Sequence, residues 1–142
     1  MFEITNINND VFASLAPETG AVVRSTTTDD TATLFNAVNG NGSPVKQILG
    51  QDIYVTDIVI TSADVPVDIN KPEGDKINKP VVNFFTEEGE HYTSLSNGVI
   101  RATKNMLACG LTPTPENPIH LKFKTIETSK GIAHTFDLVK DN

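Results

Sequence analysis

Asp52–Ala63 reads DIYVTDIVITSA, a β-branched run with no glycine or proline. Such a run is predicted to be a strand, and it anchors everything downstream. Alternation fails near Asp57, which predicts a bulge or strong coil there. Residues 64–79 read as a polar loop, broken by Pro66, Pro72 and Gly74. Pro80–Thr86 is the second strand, Glu87–Glu90 a tight turn, and His91–Leu95 the returning third strand. Ser96 is placed as the N-cap of a helix running to about Cys109, stopped by Gly110 and the prolines at 113, 115 and 118. Its apolar stripe is Val99, Ile100, Met106 and Leu107. Ile119–Ile126 and Ile132–Val139 complete five strands, with a turn over 127–131. Five strands with one helix between the third and fourth is the order of an OB-fold barrel, so a mainly β fold is predicted over residues 51–142.

Residues 1–50 predict an N-terminal arm packed on that barrel within one structural domain. The arm holds a short strand around Ala21–Arg24, a helix over Thr31–Val38 and a short element at Val45–Leu49. At 142 residues the chain can bury a sufficient core without staples, and its single cysteine, Cys109, excludes a disulfide framework. Cys109 is placed as a small buried residue beside Met106 and Leu107. Apolar runs are short, such as Ile58-Val59-Ile60, which excludes a helical membrane span. With no secretory signal at Met1-Phe2-Glu3-Ile4, a reduced, cytoplasmic compartment is expected.

Nothing in the chain forms a catalytic constellation. His91, His120 and His134 lack metal-ligand spacing, and the motifs of nucleotide sites and serine nucleophiles are missing. His120 and His134 are expected to face each other across neighbouring strands as ordinary polar residues. Glu87, Glu88 and Glu90 read as a solvated hairpin tip. No enzyme, cofactor or metal is expected.

A binding surface is better supported. With Val82, Phe84 and Leu95 placed inward, strand alternation turns Tyr54, Phe85 and Tyr92 outward onto one face. Exposed aromatics gathered on one face suit base stacking; packing of Phe85 or Tyr54 beneath the N-terminal arm is the plainer alternative. The net charge of −7 is unevenly placed: residues 1–98 carry five basic and fourteen acidic residues, residues 99–142 six and four. A local basic surface therefore remains available. Its candidates are Lys71, Lys76 and Lys79 in the first loop, Arg101 and Lys104 on the helix, Lys122 and Lys124 on the fourth strand, and Lys130 in the last turn.

The wording of the sequence adds a resemblance. Phe35-Asn36-Ala37, the stretch Ile48–Asp57 (ILGQDIYVTD), Glu88–Val99 (EGEHYTSLSNGV), Leu107–Pro113 (LACGLTP) and Asn117–Phe123 (NPIHLKF) together resemble single-stranded-DNA-binding proteins encoded by phages of Gram-positive bacteria. The resemblance spans most of residues 33–139. It implies a replication accessory protein that coats single strands in the host cytoplasm. Its partners would be single-stranded DNA, phage or host replication proteins and further copies of itself. Two rival classes fit the same surface: a phage head or tail adaptor using the barrel face as a protein interface, and an acidic mimic of nucleic acid.

Overall fold

The computed structural model describes residues 3–6, 21–24, 31–40, 42–68, 70–129 and 131–140. Lys130 and most of the N-terminal arm lie outside them. The described elements are β1 (Glu3–Asn6), β2 (Ala21–Arg24), α1 (Thr31–Val38), β3 (Ser43–Pro44), a 3-10 turn (Val45–Ile48), β4 (Asp52–Pro66), β5 (Lys76–Thr86), β6 (His91–Ser94), α2 (Asn97–Ala108), β7 (Ile119–Thr128) and β8 (Gly131–Leu138).

All eight strands join one curled, open sheet, a half-barrel. β4 is its spine. β5 pairs along one edge, while β7 takes Asp52–Val55 and β2 takes Val59–Ile60 on the other. β6 pairs with β5 and β8 with β7, as an OB pattern requires. The five-strand closure predicted for such a barrel is not seen: among the described residues β6 and β8 do not pair. α2 occupies the gap instead. Ser96 Oγ donates to the His134 carbonyl at 3.1 Å, and Thr135 Oγ1 donates to Gly98 O at 3.4 Å. A Cβ on Gly98 would stand 2.1 Å from the His134 carbonyl oxygen, so only glycine permits this approach. Ser96 occupies the N-cap position, yet its hydroxyl serves β8 rather than the helix.

The bulge falls where alternation predicted it. Val55 is opposite Thr86 and Asp57 opposite Phe85, leaving Thr56 extra. Ile53 and Val55 therefore share the core face with Ile58 and Ile60. That face packs against Val82, Phe84, Leu121, Phe123 and Phe136, with Val99, Met106 and Leu107 of α2. Phe84, Phe123 and Phe136 meet edge to face, with centroids 5.1–5.9 Å apart. Val45 and Ile48 of the 3-10 turn close one end, and Gly50, at φ +80°, donates its N–H to Phe123 O at 2.8 Å.

The loop predicted over 64–79 is shorter than its composition suggested. β4 runs to Pro66 and β5 starts at Lys76, leaving a tip of residues 67–75. The prolines are tolerated because Pro66 ends its strand and Pro80 lies beyond the reach of β6.

Candidate nucleic-acid interface

The sheet's outer face carries two cross-strand pairs of the same design. In the first, Tyr54 on β4 lies opposite His120 on β7, the rings stacked at 4.4 Å and 24°. In the second, Phe85 on β5 lies opposite His91 on β6, stacked at 4.2 Å and 17°. Both aromatics face outward because their strand neighbours, Ile53 and Phe84, face the core.

The two stacks differ in what surrounds them. Tyr54 is 37% exposed. Beside it, Asp52 accepts from His120 Nε2 at 3.0 Å and ion-pairs with Lys122 at 3.6 Å; one pleat further along β7, Lys124 ion-pairs with Asp137 at 2.9 Å. All these groups sit on β7 and its neighbours, on the side away from the core.

Phe85, by contrast, is buried. It packs with Val59 beneath Ala37 of α1, in a cluster separate from the main core. The rest of this face is polar: Asp57, Thr61 and Asn83 are all buried. Asn83 Nδ2 donates to Val59 O (3.0 Å) and Thr61 Oγ1 (3.2 Å). Its Oδ1 therefore accepts from His91 Nε2 at 2.8 Å, which makes Nε2 the protonated nitrogen. His91 Nδ1 is left as a buried acceptor with no partner among the described residues. Burial lowers the His91 pKa, since the charged imidazolium would lose its hydration.

Phe85 lies on the outer face that alternation gives it, but α1 covers it there, which is the packing alternative of the sequence reading. β6 is inverted relative to expectation. Ser94 is buried opposite Val82, Leu95 is exposed, and Tyr92 lies opposite Phe84 on the core side. Ser94 is drawn inward because its hydroxyl accepts the Ser96 N–H at 3.1 Å as the chain turns into α2. Tyr92 packs against the core's edge, and its hydroxyl donates to Glu90. Burial, that hydrogen bond and the charges of Glu90 and Glu88 push the Tyr92 pKa up to about 12. Tyr92 and Tyr54 nevertheless meet at one cleft of about 140 Å³, whose wall includes Asp52, Glu87, Glu88 and Glu90.

The lysines divide. Lys122 and Lys124 lie with Tyr54. Lys71 and Lys76 are exposed on the β4–β5 hairpin among Asp68, Glu73 and Asp75. Lys79 donates to the Leu95 carbonyl at 3.0 Å. Arg101 and Lys104 are exposed on α2. His134 pairs with Thr125 rather than facing His120, and Cys109 is exposed rather than packed. No group of three metal-ligating side chains occurs among the described residues.

Sequence reasoning missed both histidines as stacking partners. His91 was recoverable: counting back from the Glu87–Glu90 turn sets it opposite Phe85. His120 was not, because β4 and β7 are far apart in sequence.

No curated protein and no solved structure matches this chain. A family model described as phage single-stranded DNA-binding protein matches residues 8–139, most of its length. The chain therefore belongs to the phage single-stranded DNA-binding protein family.

Proposed function

We propose that the chain coats single-stranded DNA in its host's cytoplasm during phage DNA replication and recombination. Bases stack on Tyr54 and phosphates lie along Lys122 and Lys124. One observation carries this reading: the Tyr54–His120 stack is half-open and shares its strand pair with both lysines. Strand spacing suits a nucleotide chain, because a flat ring and a cation on adjacent residues of one face address a base and its neighbouring phosphate together. The ion pairs of Lys122 and Lys124 are exposed, and such pairs contribute about 0–1 kcal/mol, so phosphate can replace the carboxylates at little cost. Tyr92 contributes at the cleft's rim, and Lys71 and Lys76 extend the contact along the hairpin. The acidic wall beside Tyr92 keeps phosphates on the β7 side. Phage or host replication proteins and further copies of the chain are the protein partners proposed for such a coat.

Competition against a labelled oligothymidylate tests this. Unlabelled single strand should displace it, while duplex of equal length should not, because stacking needs unstacked bases. Equal competition by duplex would rule out the stacking reading.

A further inference from the structure

We propose that the free edge of β8 and the flank of α2 form a docking groove for an extended acidic peptide of a partner protein, taken up as an added strand. The groove lies apart from the residues given to single-stranded DNA above and goes beyond that reading.

The open edge follows from the hydrogen-bond pattern. Among the described residues β8 pairs with β7 alone. In an antiparallel pair, successive residues of a strand turn their N–H and C=O alternately toward the partner and away from it. Val139 donates its N–H to His120 O at 2.9 Å, so the odd-numbered residues of β8 serve β7. Phe123, opposite Phe136, turns its carbonyl the other way and accepts from Gly50 N–H at 2.8 Å. His134, Phe136 and Leu138 therefore present their backbone groups to the free edge. His134 O is met there by Ser96 Oγ, and Gly98 packs onto it. Phe136 and Leu138 have no such partner among the described residues. An edge of this kind is a template for one more strand.

The groove offers more than backbone. Its volume is about 410 Å³; residues 135–138 line it consecutively along β8, and Arg101 and Met106 line it from α2. Met106 and Phe136 are buried and supply an apolar floor, while Leu138 stays exposed at its margin. An added strand sets alternate side chains against such a floor. Charge then selects the class of peptide. Asp137, also at the groove, is ion-paired with Lys124 at 2.9 Å. Arg101 is exposed on the wall and has no carboxylate partner among the described residues. Residues 99–142 carry six basic and four acidic residues, against five and fourteen in residues 1–98. An acidic segment is thus drawn to this end of the molecule and repelled by the rest.

Fluorescence anisotropy of the full chain with a labelled hexapeptide of alternating aspartate and valine tests this. The peptide should bind, and a hexapeptide of alternating lysine and valine should not compete. N-methylation of one alternate set of its amides should abolish binding and methylation of the other set should not, because only one set faces β8. Leu138→Pro removes an N–H that faces the groove and none that β7 uses, a place where an edge strand tolerates proline. That variant should keep its oligothymidylate affinity and lose about tenfold in peptide affinity. Arg101→Glu should also lower peptide affinity by about tenfold, and it decides the question should Leu138→Pro fail to fold. No peptide binding, equal competition by the lysine peptide, or unchanged peptide affinity in either folded variant would overturn the groove while leaving single-strand binding intact. Self-association abolished by Leu138→Pro, without peptide binding, would give the edge to a second copy and overturn the proposal. A folded Leu138→Pro protein that loses oligothymidylate affinity would place the groove on the DNA path and overturn it too. Failure of the unaltered chain to bind oligothymidylate, with peptide binding present, would sink the single-strand reading and leave the groove standing.

Discussion

Tyr54–His120 and Phe85–His91 are the same device placed in two settings. Each sets an aromatic ring on a histidine across adjacent antiparallel strands of one sheet face, at nearly the same separation. The first stands beside lysines in solvent. In the second, Phe85 packs against Ala37 of a two-turn helix, beside buried polar residues. Residue type is therefore a poor guide to environment here: what lies over a ring decides whether it is covered or open to solvent. The core face of the same sheet is the third term of the comparison, and there the rings of Phe84, Phe123 and Phe136 meet one another edge to face.

The comparison can be broken first at that core. Phe84 is fully buried and touches both other rings. Phe84→Ala should cost about 3–5 kcal/mol of stability, read by denaturant unfolding, enough to unfold a marginal domain. A loss below about 1 kcal/mol would mean that the aromatic trio does not hold the half-barrel together.

The open stack should behave in the opposite way. Tyr54→Leu removes a π-face and keeps an apolar side chain. It should weaken single-strand binding by about 1–2 kcal/mol, roughly five- to thirtyfold, with little change in melting temperature. A large fall in melting temperature with unaltered affinity would show that Tyr54 belongs with Phe84 and not on a binding surface.

Acid should act selectively on the covered stack. The native His91 pKa lies below its unfolded value of about 6.5. The unfolded chain thus takes up the proton first, and stability should fall as pH drops through about 6.5, levelling off below the native pKa. In His91→Gln that increment should vanish, as read by melting temperature between pH 7.5 and 5. An identical pH profile in the variant would place the acid sensitivity elsewhere.

The sequence revealed local features and hid those that depend on distant contacts. The bulge at Thr56 was legible because it breaks alternation within one strand. The α2 boundaries were legible from an apolar stripe and Gly110. β6 was misread because His91-Tyr92-Thr93-Ser94 has no clearly apolar face, so Leu95 outside the strand was used to orient it. The serine hydroxyl that captures the next turn overrode that choice. The sequence left Phe85 open between stacking and packing beneath the arm, because its cover comes from α1, some fifty residues earlier. The hairpin of β4 and β5 outran its predicted length because pairing with a partner strand tolerates polar residues that composition assigns to loops.

The smallest expected effect is also the most direct test of the nucleic-acid interface. Oligothymidylate affinity is to be measured across a salt series for the unaltered chain and for a Lys122→Ala, Lys124→Ala double variant. Each phosphate contact on a single strand contributes about −0.7 to the slope of log affinity against log salt. The double variant's slope should be shallower by about 1.4, with affinity lower at every salt concentration. Superimposable slopes would contradict the β7 phosphate track, because the two lysines beside the open stack would then carry no phosphate at all.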